Sequence, residues 1–304
     1  MSSPGRIVDA HHHLWDLKNY HYPRCSTRHG GAEADPLFRD YRIRDFRRDT
    51  GGLTVAGSVH VEGGHDPNDP VTETRWLERV SRRTGLPSVV VPYVALDAPD
   101  AGEVLDRHLD ASSRVRGVRQ MLDVDPRETN PSSPPRFFEG HAWRRGLTLV
   151  GERGLTFDLQ VSLGQLNDAK ELVQEHEDVT FVLNHGGFHT RGTSENWRAW
   201  HHGIQRLASL PNICAKASGF GSVEPKWTIR GLGRFLVTLI EAFGVERVLF
   251  ASNFPVESRT ISYREMIARY SQATEVLSAS ERRAFFFENA VRVYKIPISG
   301  VCNV

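Results

Sequence analysis

Residues 6–16 read Arg6-Ile-Val-Asp-Ala-His-His-His-Leu-Trp15-Asp16, a short β-branched run that passes without a break into three histidines. A strand sends successive side chains to opposite faces, so His11 and His13 share one face and His12 takes the other. Two imidazoles on one face form a metal-chelating pair. Short apolar runs with polar ends recur at 53–61, 88–95, 115–119, 155–161, 179–183, 213–216 and 248–251, and with 6–10 they make eight candidate strands. Amphipathic stretches at 72–84, 101–111, 137–153, 166–176, 195–210, 230–243, 258–274 and 280–294 read as helices. Eight strands joined by helical crossovers pair in parallel, and right-handed crossovers repeated eight times close into a (β/α)8 TIM barrel. A doubly wound sheet is disfavoured, because neither GxGxxG nor GxxxxGK[ST] follows a strand. The expectation is one α/β domain over 1–304.

The long irregular stretch 17–50, after the first strand, is expected as a flap over one barrel end. Tyr20, His21, Tyr22, Arg24 and Tyr41 in it are candidates for setting specificity, and its Arg/Asp-rich run at 39–49 reads first as a solvated helix face.

Composition narrows the partners. With 39% hydrophobic and 25% charged residues, the 304-residue chain is that of an ordinary globular protein. A net charge of +1 gives no broad basic field for nucleic acid or an anionic membrane, so a small-molecule substrate is expected. No window has the run of apolar residues a membrane span needs, and Met1-Ser-Ser-Pro-Gly-Arg6 lacks the apolar segment of a secretory signal. The expected location is the cytoplasm, and a homo-oligomer is allowed. Cys25, Cys214 and Cys302 are odd in number with no CxxC spacing, which argues against a disulfide framework and a thiolate metal site. The 14 histidines are the unusual count.

A barrel keeps its chemistry at the C-terminal ends of its strands. There the sequence places His60 and Glu62, Arg119 and Gln120, Asp158 and Gln160, Asn184 and His185, Lys216, and Asn253 followed by Glu257. Unpaired buried polar groups cost a few kcal/mol each, so such residues at seven of the eight ends read as the lining of an active site. Arg119 at this rim either neutralises a neighbouring carboxylate or makes a fork for a substrate carboxylate or phosphate. Lys216 and Glu62 serve either as substrate contacts or as one rim ion pair. His60 and His189 fit an ordinary hydrogen-bonded role as well as a substrate contact, and His12, His201 and His202 are not expected as ligands.

Taken together, Val8-Asp-Ala-His-His-His-Leu-Trp-Asp16, Gly117-Val-Arg-Gln-Met-Leu122, Leu183-Asn-His-Gly-Gly187, Lys216-Ala-Ser-Gly219, Phe250-Ala-Ser-Asn-Phe-Pro-Val256 and Asn289-Ala-Val-Arg-Val-Tyr294 resemble the amidohydrolase superfamily. The closer likeness is to its amidohydrolase-2 branch, which includes fuconolactonases and 2-pyrone-4,6-dicarboxylate lactonases. The resemblance implies a distorted barrel and hydrolysis, most often of a lactone. It makes His11, His13 and His185 ligands of a divalent metal, zinc first, or electrophilic donors as in relatives that work without metal. The branch's strand-eight Asp, which takes the proton of the attacking water, falls here on Asn253, and an amide is no general base at neutral pH.

The chemistry expected is therefore attack of activated water on the carbonyl of a small, anionic lactone or related cyclic ester or amide, with zinc polarising the carbonyl and acidifying its water. The base is Glu257, Glu62, Asp158, His185 or the metal hydroxide, with His185 and Glu257 preferred. Arg119 binds a substrate carboxylate or steadies the oxyanion, while His60, Glu62, Gln120, Asp158 and Lys216 orient the substrate. Two rival readings keep the barrel: a non-oxidative decarboxylase, and a catalytically silent ligand-binding barrel marked by Asn253.

Overall fold

The computed structural model describes residues 4–23, 37–122, 140–187 and 194–298. Its strands are β1 (Arg6–His12), β2 (Thr54–Val61), β3 (Val89–Val91), β4 (Gly117–Val118), β5 (Thr156–Leu159), β6 (Thr180–Leu183), β7 (Ile213–Ala217) and β8 (Val248–Phe250). Each pairs in parallel with its neighbour, in the runs β1-β2-β3 and β4-β5-β6-β7-β8. Single parallel bridges close the circle, Val90 with Val115 and Tyr93 with Arg119 on one side and His12 with Phe254 on the other. The result is a (β/α)8 barrel. Beyond Val91, Pro92 has no N–H to give, so the β3 ladder stops and resumes only where Arg119 N–H reaches the Pro92 carbonyl at 2.9 Å. That is why the expected strand 88–95 is shorter in the structure.

The β1–β8 closure is tied by a buried carboxylate. Asp9 accepts Ser252 N–H at 2.9 Å, Ser252 Oγ–H at 2.6 Å, Tyr263 O–H at 3.1 Å and His11 N–H at 3.2 Å. Burial pushes its pKa up to about 6 against the pull of those bonds. Just above it, Asn253 N–H donates to His11 O and His13 N–H to Phe254 O, both at 2.7 Å, which brings the ends of β1 and β8 together.

The helices are α1 (Ile43–Asp49), α2 (Val71–Thr84), α3 (Ala101–Ala111), α4 (His141–Glu152), α5 (Leu166–Glu175), α6 (Ser194–Ala208), α7 (Phe220–Val223), α8 (Ile229–Phe243), α9 (Tyr263–Ala273), α10 (Ala279–Arg283) and α11 (Asn289–Val293). α8 buries Leu232, Phe235, Leu236, Leu239 and Phe243, the spacing of one helix face, and Thr228 caps it by accepting Gly231 N–H. The expected helix 258–274 begins later, because Ser262 caps α9 through Glu265 N–H and the residues before it form a 3-10 turn, Val256–Arg259. The expected helix 280–294 carries a π-helical turn at Ala284–Glu288 that places Phe285 and Phe286 in the core. No helix among the described residues is long and apolar enough to cross a membrane.

Within 17–50, α1 carries the charge run, and its Arg44 and Arg48 side chains are exposed, as a solvated face should be. The stretch is pinned to the barrel rim: Trp15 and Tyr41 exchange backbone bonds, and Trp15 Nε1–H donates to Arg39 O at 2.7 Å. Arg24, Cys25, His189 and Cys302 lie outside the described residues.

Candidate active site

A cavity of about 320 Å³ opens at the C-terminal ends of the strands. From the expected site residues it is lined by His13, Glu62, Arg119, His185 and Asn253; Leu37 and Phe38 from the 17–50 stretch, with Trp15 and Met121, add apolar surface. Alternation along β1 does what the sequence requires. His11 and His13 Nε2 face each other at 3.2 Å, while His12 turns outward to stack on Phe46 and meet Ser58 Oγ at 3.0 Å.

The protons in this pair can be placed. Lys216 is fully buried, ion-paired with Asp158, and its Nζ lies 3.3 Å from His11 Nδ1. An ammonium only donates, so His11 carries its own proton on Nε2 and directs it at His13 Nε2; His13 in turn donates from Nδ1 to Val61 O at 2.9 Å. Burial, and then Lys216, hold His11 well below the ordinary imidazole pKa, and burial with the Arg119 charge lowers His13 to about 3. Both rings are neutral at pH 7. Burial lowers Lys216 to about 8, opposed by Asp158.

His185 ends β6 with its ring centroid 4.7 Å from that of His11, and its Nδ1 is 2.8 Å from Ser218 Oγ. Burial and the Arg119 charge keep it well below the ordinary imidazole pKa. Its backbone (φ 54°) and that of Asn253 (φ 58°) are left-handed, a conformation uncommon outside glycine and concentrated at functional sites. Gly219 makes this geometry possible, since a Cβ there would stand 2.7 Å from His185 Cβ.

Each cation is paired with a buried carboxylate. Arg119 donates from Nε to Glu62 Oε1 at 2.8 Å, from a terminal nitrogen to Glu62 O at 2.9 Å, and from the other to Gln160 Oε1 at 2.8 Å. It is thus engaged by Glu62 and Gln160, where the sequence also offered it to a substrate carboxylate. Lys216 and Glu62 do not form one rim pair either, because Lys216 belongs to Asp158, whose other oxygen takes Tyr294 O–H at 2.8 Å.

Three further residues lie behind the cavity. Gln120 accepts Leu96 N–H at 3.1 Å and Trp143 Nε1–H at 2.9 Å, which directs it toward the surrounding helices. His60 is fully buried with Nε2 on Leu14 O at 3.2 Å. Glu257 accepts Gly221 N–H at 3.0 Å and Asn253 Nδ2–H at 3.4 Å, and burial raises it to about 7. Gln160, which the sequence placed at a strand end without a role, and Trp15, which it left out of the site, line the cavity. Each lies two residues beyond a chosen one, Asp158 and His13, so strand alternation already put them on the same face.

Two zinc-bound nitrogens at about 2.0–2.1 Å from a tetrahedral ion lie about 3.3 Å apart. The His11–His13 edge has that spacing, so the pair fits a metal that would replace the proton between the two Nε2 atoms. Among the described residues no three His, Cys, Asp or Glu side chains converge closely enough to enclose an ion.

The amidohydrolase family model matches residues 8–296. The chain belongs to the amidohydrolase family. This amidohydrolase is 34% identical to protein y4mH of Sinorhizobium fredii over 95% of its own length and 98% of that protein. It is 26% identical to an L-fucono-1,5-lactonase of Burkholderia multivorans, covering 95% and 96% of the two chains. Among solved structures it is similar to an amidohydrolase from Burkholderia multivorans with bound zinc, at 25% identity and a TM-score of 0.82 over 96% of this chain and all of that one. The protein is a hydrolase acting on small molecules.

Proposed function

We propose that this amidohydrolase hydrolyses a small monocyclic lactone bearing neutral hydroxyl groups. The observation that carries the reading is the Glu62–Arg119–Gln160 row. The sequence pointed to an anionic substrate on the strength of Arg119 and Lys216, but each charge is matched by a buried carboxylate. What the cavity presents is alternating donors and acceptors, suited to vicinal hydroxyls, together with apolar surface from Leu37, Phe38 and Met121 suited to a ring face. The cavity volume is at the small end for ligand sites and fits one ring. The lactonase name of the Burkholderia multivorans relative points to the same ester.

Catalysis starts from neutral imidazoles. His185 lines the cavity and accepts the proton of the attacking water. Ser218 fixes the ring orientation in the way a third group orients a catalytic base. Asn253 bonds to both His13 and Glu257 and so positions the wall rather than exchanging protons. Glu257 contacts the cavity wall through Asn253. A divalent ion held by His11 and His13, with His185 beside them, would add Lewis-acid polarisation of the lactone carbonyl. The Arg119 row aligns the ring hydroxyls so that the carbonyl meets the histidines.

A panel of neutral aldonolactones and of carboxylated lactones, followed by acid release, tests the reading. Turnover of the neutral class, abolished in a folded His185→Ala variant, is expected. Turnover confined to carboxylated lactones, or full activity in His185→Ala, overturns it.

A further inference from the structure

Glu73 lies in the first turn of α2 and is only 2% exposed, yet no Lys or Arg among the described residues forms an ion pair with it. Its Oε1 accepts Gly63 N–H at 3.2 Å, and the Tyr22 hydroxyl is its other polar neighbour. Gly63 is packed so closely that a Cβ there would meet Glu73 Oε1 and Tyr22 Cε1, each at 3.2 Å. On either side of Gly63 stand Glu62, which grips Arg119, and Gly64, whose N–H donates to Glu62 Oε2 at 2.8 Å. All three residues line the cavity. One buried carboxyl thus touches the root of the 17–50 stretch through Tyr22 and the polar wall of the active site through Gly63.

The groups that face it are few. Glu62 is the like charge, Arg119 is the cation one residue farther on, and Tyr22 is the hydroxyl. Burial, and after it the Glu62 charge, push Glu73 up to about 8, against the pull of Gly63, Tyr22 and Arg119. At neutral pH it is a neutral acid beside the Glu62–Arg119 ion pair.

We propose that Glu73 is a positioning residue for substrate binding: as a neutral acid it holds the Glu62–Gly63–Gly64 wall against Tyr22, and its ionisation sets a second carboxylate beside Glu62 that loosens the Glu62–Arg119 grip. The substrate effect rests on the reading of that wall as the ring-binding surface, but the movement of the wall does not. Ionisation weakens binding and leaves the histidines in place, so KM rises while kcat holds.

Two readouts test this. With a lactone substrate, KM of the wild type is expected to rise about tenfold from about pH 7 to about pH 9, and less than about twofold in Glu73→Gln, whose amide stays neutral. Without any substrate, the fluorescence of the protein, which includes Trp15 in the cavity, is followed through the same range. A transition near pH 8 that is present in the wild type and lost in Glu73→Gln supports the proposal; Lys216 titrates near there too but is common to both proteins. Tyr22→Phe removes a neighbouring hydroxyl that favours the charged form, so it moves the transition upward by some tenths of a pH unit and serves if Glu73→Gln does not fold. An unchanged transition in Glu73→Gln, or an unmoved one in Tyr22→Phe, overturns the proposal. Failure of all lactones as substrates, with the fluorescence difference intact, overturns the lactone reading alone.

Discussion

Lys216 Nζ lies 3.3 Å from His11 Nδ1, with its charge matched by Asp158 two strands away in the barrel. Neither partner has any exposure, so the ammonium is both the donor that orients His11 and the counter-ion of a buried carboxylate. Replacing it with an apolar side chain strands that carboxylate, which among the described residues retains the Tyr294 hydroxyl. Lys216→Met is expected to lose about 3–5 kcal/mol in urea unfolding, and Lys216→Met with Asp158→Leu to regain most of it. A single variant within about 1 kcal/mol of wild type would show that the pair is not the buried unit described.

The His11–His13 edge has the spacing of two nitrogen ligands of one metal ion. Zinc added to the apo protein is expected to bind one ion per chain, and His11→Ala and His13→Ala each to weaken it by more than about tenfold, since each removes one nitrogen ligand. Competition with a chromophoric chelator measures this without any substrate. Undiminished zinc binding in both variants would move the metal elsewhere.

Arg119 bonds to Glu62 and Gln160 through a planar fork that a lysine cannot copy. In Arg119→Lys the point charge satisfies at most one partner, and the polar wall loses its order. KM is expected to rise about tenfold with kcat within about threefold, the pattern of lost uniform binding. Steady-state kinetics decide it, and a fall confined to kcat would mean that Arg119 acts on the transition state instead.

Much of this site can be read in the sequence because a strand's period of two is rigid. The spacing of His11 and His13 gives their shared face, and short apolar runs with polar ends mark where β1, β6 and β8 stop. Period two gives a face but not a partner. The Arg119–Glu62 and Lys216–Asp158 pairs join residues 57 and 58 positions apart, and which acid meets which base depends on the closed barrel. Gln120 is a different case. It follows inward-facing Arg119, so the same alternation sends it outward to Trp143, and its assignment to the substrate neglected that rule. Glu73 carries no signal of this kind, because it belongs to a helix and reaches the wall only through the turn at Gly63.

His185 and Glu257 were the two bases the sequence preferred, and their surroundings separate them. His185 lines the cavity, whereas Glu257 is buried behind Asn253 and bonded to Gly221 N–H. Glu257→Gln can keep its oxygen on Gly221 N–H and donate from its nitrogen once the Asn253 amide turns its own oxygen toward it, so kcat is expected to stay within about tenfold, while His185→Ala loses about 10²–10⁴-fold. The same variant carries a stability signature. Burial raises Glu257 from 4.5 to about 7, so the folded state holds a proton that the unfolded state gives up. Its contribution is fully present below pH 4.5 and is lost as pH rises through 7. At about 1.4 kcal/mol per pKa unit, the full span is on the order of 3 kcal/mol. Urea unfolding between pH 4.5 and 7.5 is therefore expected to show the wild type losing stability relative to Glu257→Gln as pH rises. If the two curves run parallel, Glu257 does not titrate in this range; if Glu257→Gln loses as much activity as His185→Ala, the base is Glu257.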